Sequence, residues 1–179
     1  MSTEETKQDA LNQADLQMAS IHTFITALNL DWDRLEELRE ERDNYDAGLT
    51  EDDEELDAPA LWAADNPDDA EELKDLEEYA GDWDSREDVE RAIQEDPLSV
   101  EVRSGWVTPG AELESEDFRI VLCTGGPHVE IIGELDRYRQ PCRAWLQYNG
   151  WFIPMTERVN EPGDQETLLA YASQFYFGE

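Results

Sequence analysis

The first 46 residues have the apolar spacing of an α-helix. Eight apolar residues from Leu11 to Leu35 follow one another at steps of three and four, with no glycine or proline among them. This pattern predicts one long helix whose apolar seam faces either the chain itself or a second copy. Asp31 or Asp33 would instead cap a new helix if the chain breaks near Asn29. Beyond Leu35 the sequence EELREER predicts a solvated continuation.

A second group of helices is predicted between residues 55 and 97. Asn66, followed by the sequence PDD, is typical of a helix start, because asparagine caps free N–H groups and acids favour the positive end of the helix dipole. Gly81 would end this helix. Residues 55–65 predict a turn or two before it, and Asp84 or Ser85 would cap a short helix after it. We expect this stretch to fold back antiparallel on the first helix as an acidic arm.

The apolar period changes from 3.6 to 2 after Leu98. Strands are predicted by the runs LSVEVRSGWV, FRIVLC, HVEIIGEL, RAWLQY and WFIPM, the last two joined by an Asn-Gly turn. The run DQETLLAYASQFYF predicts a C-terminal helix across one sheet face. The predicted fold class is α+β, with an N-terminal acidic helical hairpin or coiled-coil arm followed by an antiparallel β-meander with a C-terminal helix. The predicted domains are residues 1–96 and residues 97–179.

Charge is distributed unevenly along this chain. The 179 residues include 46 Asp and Glu but only 13 Lys and Arg, a formal net charge of −33 at pH 7. Residues 31–96 alone hold 29 acids and six bases, a net charge of −23. Solubility of a small domain requires a net charge of only about 2 to 8, and an anionic surface repels nucleic acids and anionic membranes. We therefore expect no direct binding to nucleic acid or membrane, and a basic protein as partner.

The number of cysteines and the hydropathy of the chain indicate the cellular compartment in which the protein is expected. Cys123 and Cys142 form no dense disulfide framework, and no apolar run approaches the roughly 18 residues of a membrane helix. No charged-then-apolar signal segment is visible. These features favour the cytoplasm.

The sequence provides only weak support for a catalytic site or a metal site. Cys123 and His128 flank the sequence TGGP, which raises nucleophilic catalysis, but a small buried thiol at a strand end is the better interpretation. The acidic runs lack the ligand spacing of a calcium loop, and the histidines and cysteines lack zinc spacing. Carboxylates crowded on a helical surface also make poor acid–base pairs. We expect no enzymatic activity, no metal site and no cofactor.

The predicted β domain is rich in aromatic residues. On a basic protein such residues would indicate base stacking, but here few cations accompany them to hold a nucleic-acid backbone. We expect most of them in the core and a few at a protein interface, with QFYFGE at the C terminus as the best interface candidate. They are Trp106, Trp145, Tyr148, Trp151, Phe152, Phe175, Tyr176 and Phe177.

The charge density of residues 31–96 approaches that of duplex DNA. Two paired helices of roughly 30 residues would span about 45 Å, so a net charge of −23 gives about one charge per 2 Å, against one per about 1.7 Å in B-DNA. We predict that these carboxylates replace phosphates as contacts for the partner's arginines and lysines. The predicted contact residues are Glu36, Glu37, Glu40, Glu41, Asp43, Asp52, Asp53, Glu54, Glu55, Asp57, Asp68, Asp69, Glu71, Glu72, Asp75, Glu77 and Glu78.

The sequences LDWDRLEELREERD, DPLSVEVRSGW, LCTGGPHVEIIGELD, RAWLQYNGW and LLAYASQFYFGE resemble small acidic accessory proteins of proteobacterial plasmids and integrative elements. This resemblance covers most of the chain and implies an accessory role in a mobile element, and no catalytic residues are carried over from it. In composition the chain also resembles the DNA-mimic proteins of phages and conjugative elements, which include anti-restriction and anti-CRISPR proteins.

The leading hypothesis is therefore a DNA-mimic inhibitor from a phage or mobile element. Its partner would be a basic bacterial nucleic-acid-binding protein, such as a restriction, CRISPR or other defence component. Two alternatives stay open: an interaction module that binds through its aromatic β domain, and an acidic immunity protein or antitoxin. The apolar helical seam and the sheet edge leave a homodimer open.

Overall fold

The computed structural model describes residues 3–45 and 58–178, which form six helices and one five-stranded antiparallel sheet. The predicted α+β class, with an antiparallel meander and a C-terminal helix, is confirmed. None of the helices in these two ranges is long and apolar enough to cross a membrane. The elements are α1 (Thr3–Leu28), α2 (Trp32–Asp43), α3 (Ala58–Asp65), α4 (Pro67–Ala80), α5 (Arg86–Glu95), β1 (Ser99–Ser104), β2 (Ser115–Cys123), β3 (His128–Leu135), β4 (Pro141–Asn149), β5 (Thr156–Glu157) and α6 (Asp164–Ala172).

The chain divides into two compact units. The sheet unit comprises Met1–Ile25 and Glu90–Glu179, and the acidic unit is Thr26–Val89. This division differs from the predicted boundary between residues 96 and 97. The reason is that most of α1 belongs with the sheet, where its apolar seam is buried.

The break between the first two helices follows from a cap at Asp31. Its side chain accepts a hydrogen bond of 3.0 Å from the backbone N–H of Arg34, which satisfies one free donor at the start of α2. Helix α1 ends at Leu28, so the predicted single long helix is replaced by its alternative, a break near Asn29. The cap is Asp31, and Asp33 lies inside the first turn of α2.

The sheet has the order β1-β2-β3-β4-β5, with every neighbouring pair antiparallel. Its apolar face is buried, with Ile120, Ile131 and Leu146 in register across β2, β3 and β4. Helix α6 packs on β4. The ring of Phe118 lies over Gly133, where a Cβ atom would come within 2.4 Å of that ring, so the position requires glycine.

Helix α1 is tied to α6 by an ionic network centred on the buried Asp164. His22 Nε2 lies 2.9 Å from Asp164 Oδ1, and Arg158 joins Asp164 Oδ2 and Asp15 Oδ1 at 2.6 and 2.7 Å. Burial raises the pKa of Asp164, but hydrogen bonds from the Glu161 N–H, from His22 and from Arg158 outweigh burial and leave that pKa below its ordinary value. The sequence pattern shows Asp164 only as a first-turn acid.

Two predicted strands differ from those observed. Val100 and Val102 share a face with the buried Ile120 and Phe118, but they are 37% and 49% exposed because β1 is the edge strand. The run WFIPM is a turn, because the Ile153 N–H donates to the Gly150 carbonyl and Phe152 adopts a φ of 64°, and the last strand is the short β5.

Substituting Asp164 by Asn tests the ionic network. We expect a loss of about 3 kcal/mol in the free energy of unfolding at pH 7, because Arg158 keeps its buried charge without its closest partner. The folded-state pKa of Asp164 is lowered, so its contribution is present above the unfolded pKa of about 3.9 and is lost as pH falls through the folded value. The difference between wild type and variant should therefore shrink below about pH 4, measured by chemical denaturation across pH.

Asp15→Asn is the matched control, because Asp15 contacts the same arginine from an exposed position. We expect it to cost less than about 1 kcal/mol. Equal effects of the two variants would contradict a network centred on Asp164.

Candidate functional site

The acidic unit is held together by a small apolar cluster between three helices. Leu35 and Leu38 of α2, Trp62 of α3, and Leu73 and Ala80 of α4 are buried together. Leu38 belongs to the stretch that the sequence predicts as solvated. Its burial shows that the inner side of α2 continues as a packing surface past Leu35.

Arginine side chains join the two most acidic helices along their contact. Arg34 Nη2 of α2 lies 2.8 Å from Asp69 and 2.9 Å from Glu72 of α4, and its Nη1 lies 2.9 Å from Glu37. Hydrogen bonds with Glu72 and Glu37 raise the pKa of Arg34 above its ordinary value. This arginine therefore remains charged and neutralises both helices at their N-terminal ends.

Two further arginines repeat this arrangement at the other end of the contact. Arg39 and Arg42 lie 3.4 and 3.3 Å from Glu77 of α4, and Arg42 also lies 2.9 Å from Asp43. We call Arg34, Arg39 and Arg42 the arginine seam. A hydrogen bond with Asp43 raises the pKa of Arg42 above its ordinary value, although burial opposes it.

The contacts of the arginine seam also show the relative direction of α2 and α4. Each α4 carboxylate follows its arginine by 35 or 38 positions. Because this separation is nearly constant, α2 and α4 run in the same direction along the contact, with α3 between them in the chain. The antiparallel fold-back predicted from the sequence therefore does not describe this pair of helices.

Twelve of the predicted contact residues lie on the described parts of α2 and α4, and the structure divides them into two groups. Five take part in the contacts of the arginine seam: Glu37, Asp43, Asp69, Glu72 and Glu77. The other seven are exposed and form no ion pair within residues 3–45 and 58–178; we call them the outward carboxylates. They are Glu36, Glu40, Glu41, Asp68, Glu71, Asp75 and Glu78.

The outward carboxylates of α4 form one line on the helix surface. Asp68, Glu71, Asp75 and Glu78 recur at steps of three and four, so they share a face and span about 15 Å at a rise of 1.5 Å per residue. Like charges at this spacing repel one another. They persist there because the opposite side of the helix is fixed by the buried cluster and the arginine seam.

The other five predicted contact residues precede α3 in the sequence. Asp52, Asp53, Glu54, Glu55 and Asp57 lie outside the described residues. Within residues 3–45 and 58–178, no three His, Cys, Asp or Glu side chains gather closely enough to hold a metal ion.

The outer face of the sheet, opposite its apolar face, is the second surface with a distinct chemistry. Arg119 lies 2.5 Å from Glu101, and Arg103 lies 2.5 Å from Asp117. The hydrogen bond with Arg119 lowers the pKa of Glu101. These cross-strand pairs border a groove of about 580 Å³ that Trp145 helps to line. Glu101 and Asp117 each have an arginine partner, whereas the outward carboxylates have none within the described residues.

The predicted aromatic core is only partly buried. Tyr148 and Phe177 are buried, and the Phe177 ring lies 4.8 Å from that of Phe118. Helix α6 ends at Ala172, so the residues of QFYFGE follow the helix instead of lying on it. Trp145 and Phe175 are half-buried, and the exposed members of the predicted set are Trp106, Trp151, Phe152 and Tyr176.

Cys123 and His128 do not form a nucleophile pair. The Cys123 thiol donates to the Pro127 carbonyl at 3.8 Å, and burial raises its pKa, which disfavours the thiolate. The His128 ring instead contacts Thr124 at 3.4 Å and the buried Glu130 at 2.9 Å. Both Cys123 and Cys142 are free thiols.

Comparison with family models, with curated proteins and with solved structures finds no match to this chain. The arginine seam could have been suspected from the sequence, because Arg34, Arg39 and Arg42 recur within the acidic run EELREER and beside it. Their partners on α4 could not, because the pairing depends on the direction of that helix.

Substituting Arg34 by Gln tests the arginine seam. We expect a lower thermal midpoint of the acidic unit, because Asp69, Glu72 and Glu37 would repel one another without their shared cation. The loss should be largest at low salt, where repulsion is least screened, and circular dichroism at two salt concentrations measures it. Lys74→Gln is the matched control, since it removes the same charge from an exposed site outside the arginine seam. Equal effects of both variants would mean that net charge alone matters.

Proposed function

We propose that this protein is a non-enzymatic inhibitor that imitates the charge of DNA and occupies the nucleic-acid-binding surface of a basic bacterial protein. The partner class is a restriction, CRISPR or other nucleic-acid-handling component in the cytoplasm. The acidic unit makes the contact, and the outward carboxylates take the positions of phosphates.

The uncompensated outward carboxylates are the observation that carries this proposal. Residues 26–89 hold 26 acids and five bases, a net charge of −21. Three of those five bases form the arginine seam, where carboxylates of the same unit neutralise them. These three cations therefore stabilise the fold of the unit, while a line of acids remains available to the arginines and lysines of a partner.

The energetics of such a surface favour association through many weak contacts. A single exposed ion pair contributes about 0.2 to 1 kcal/mol, so affinity has to come from several pairs formed together. Complementary charge also raises the rate of encounter and makes it depend strongly on salt. An acidic immunity protein or antitoxin would use the same physics and differ only in its basic partner.

A second candidate function rests on the exposed aromatic residues of the sheet unit. Trp151 and Phe152 lie in the turn after β4 and are 63% and 96% exposed. Large exposed aromatic side chains are typical anchors of protein interfaces. In this alternative the sheet unit binds the partner and the acidic unit contributes solubility.

Neutralising three outward carboxylates tests the proposal. The full-length variant Glu71→Gln, Asp75→Asn, Glu78→Gln should capture about tenfold less partner from a bacterial lysate at low salt, because three surface ion pairs of about 0.5 kcal/mol each are lost. Quantitative mass spectrometry of the captured basic nucleic-acid-binding proteins measures the change.

The matched control neutralises three exposed acids of the sheet unit, Glu4→Gln, Asp9→Asn and Glu114→Gln. It changes net charge equally and should capture partners as wild type does. If both triple variants behave like wild type while Trp151→Ala loses the captured protein, the aromatic alternative replaces this proposal.

A further inference from the structure

The edge of the sheet at β1 is open. Strand β1 pairs with β2 on one side and is the terminal strand of the sheet, with no strand beside its other edge among the described residues. An open edge presents unpaired N–H and C=O groups and is a template for another strand. The strand contains no proline, and its register is regular from Ser99 to Arg103, with an irregularity only at its end, between Arg103 and Ser104. Its charged residues, Glu101 and Arg103, are of opposite sign, so they protect the edge only against a strand that does not match them.

The side chains of this edge form an incomplete apolar surface. Val100 and Val102 extend the apolar face formed by Ile120 and Phe118, and both are partly exposed. Leu98, just before β1, is 62% exposed, and Trp106, just after it, is fully exposed. A strand added at this edge would cover these residues and continue the buried layer.

We propose that β1 pairs with β1 of a second copy of this chain, antiparallel and centred on Val102, to form a continuous ten-stranded sheet across a twofold axis. In this register Glu101 of each copy lies opposite Arg103 of the other. Opposite charges directly across an antiparallel pair are favourable, and like charges are unfavourable. The strand is therefore complementary to itself.

The neighbouring strand strengthens this choice of partner. Within one copy, Glu101 lies beside Arg119 and Arg103 lies beside Asp117. Pairing about Val102 would produce two rows across both copies in which acid and base alternate over four strands. Centring the pair on Glu101 or on Arg103 would instead place like charges face to face on the axis.

The apolar residues that flank β1 are also placed symmetrically about Val102. Leu98 and Trp106 lie four positions before and after Val102, so the twofold axis brings Leu98 of one copy to the end of β1 where Trp106 of the other lies. The proposed self-pairing involves only the sheet unit, so it does not depend on the proposed function of the outward carboxylates.

A single cysteine on the axis tests the register. In a full-length Cys123→Ser, Cys142→Ser background, Val102→Cys should form a covalent dimer on mild oxidation, because opposite Cα atoms lie about 4.5 to 5.5 Å apart, within disulfide reach. Val100→Cys is the matched control, since the two copies of residue 100 would be about 14 Å apart in this register. Non-reducing gels measure both. Equal crosslinking of the two variants would overturn the register.

Charge exchange tests the pairing without a crosslink. Glu101→Arg places Arg opposite Arg103, and Arg103→Glu places Glu opposite Glu101, so each variant alone should be monomeric. An equimolar mixture restores both opposite-charge pairs and should form the heterodimer. Light scattering after size exclusion gives the masses, and circular dichroism confirms that each variant is folded.

The wild-type mass completes the test. The wild-type chain should be dimeric, and more so in about 0.5 M salt, because screening reduces the repulsion between two copies of charge −33. Binding to a basic partner should instead weaken as the salt concentration rises. Each of the two proposals can therefore be contradicted while the other holds. A wild-type chain that is monomeric at every concentration, or a mixture of charge variants that stays monomeric, would overturn the β1 pairing.

Discussion

Repulsion between carboxylates is the constraint on which the acidic unit depends. Residues 26–89 hold 26 acids beside five bases, and two of their helices lie in contact. The arginine seam places three of the bases along that contact, where the repulsion between α2 and α4 would be greatest. Beneath it, the apolar cluster around Leu38 and Trp62 supplies burial. The unit thus neutralises its inner side, and this arrangement leaves the outer side anionic.

The sheet unit handles charge in a different way. Its acids and bases pair across neighbouring strands, as Glu101 does with Arg119, and its buried Asp164 is matched by Arg158 and His22. Ion pairs of this kind fix the positions of the side chains that form them. Because their charges cancel, they contribute little to the electrostatic field at long range. The acidic unit carries −21 of the net charge of −33, so the long-range field of the protein comes chiefly from that unit. We therefore propose partner attraction for the acidic unit and self-association for the open edge at β1.

Much of the fold is readable from the sequence, because helix caps and period-2 alternation are local signals. Helix α4 begins after Asn66 as predicted, with Pro67 and two acids in its first turn, although the Asn66 side chain makes no capping hydrogen bond and donates to the Trp62 carbonyl instead. The strands β2 to β4 follow from the alternation. Contacts between residues far apart in the sequence cannot be predicted from such local signals. Alternation places Val100 and Val102 on the apolar face, but it does not reveal that β1 is an edge. Likewise the acidic run predicts a charged surface, whereas the split between the arginine seam and the outward carboxylates depends on the direction of α4.

The competition between this protein and duplex DNA for one captured partner is the most direct test of the central claim. The affinity of the partner for the full-length protein should fall steeply and linearly with the logarithm of salt concentration, and duplex DNA should displace the protein competitively. Affinity that is unchanged at about 1 M salt, where the Debye length is roughly 3 Å, would contradict the account. Simultaneous binding of DNA and this protein to the partner would contradict it as well.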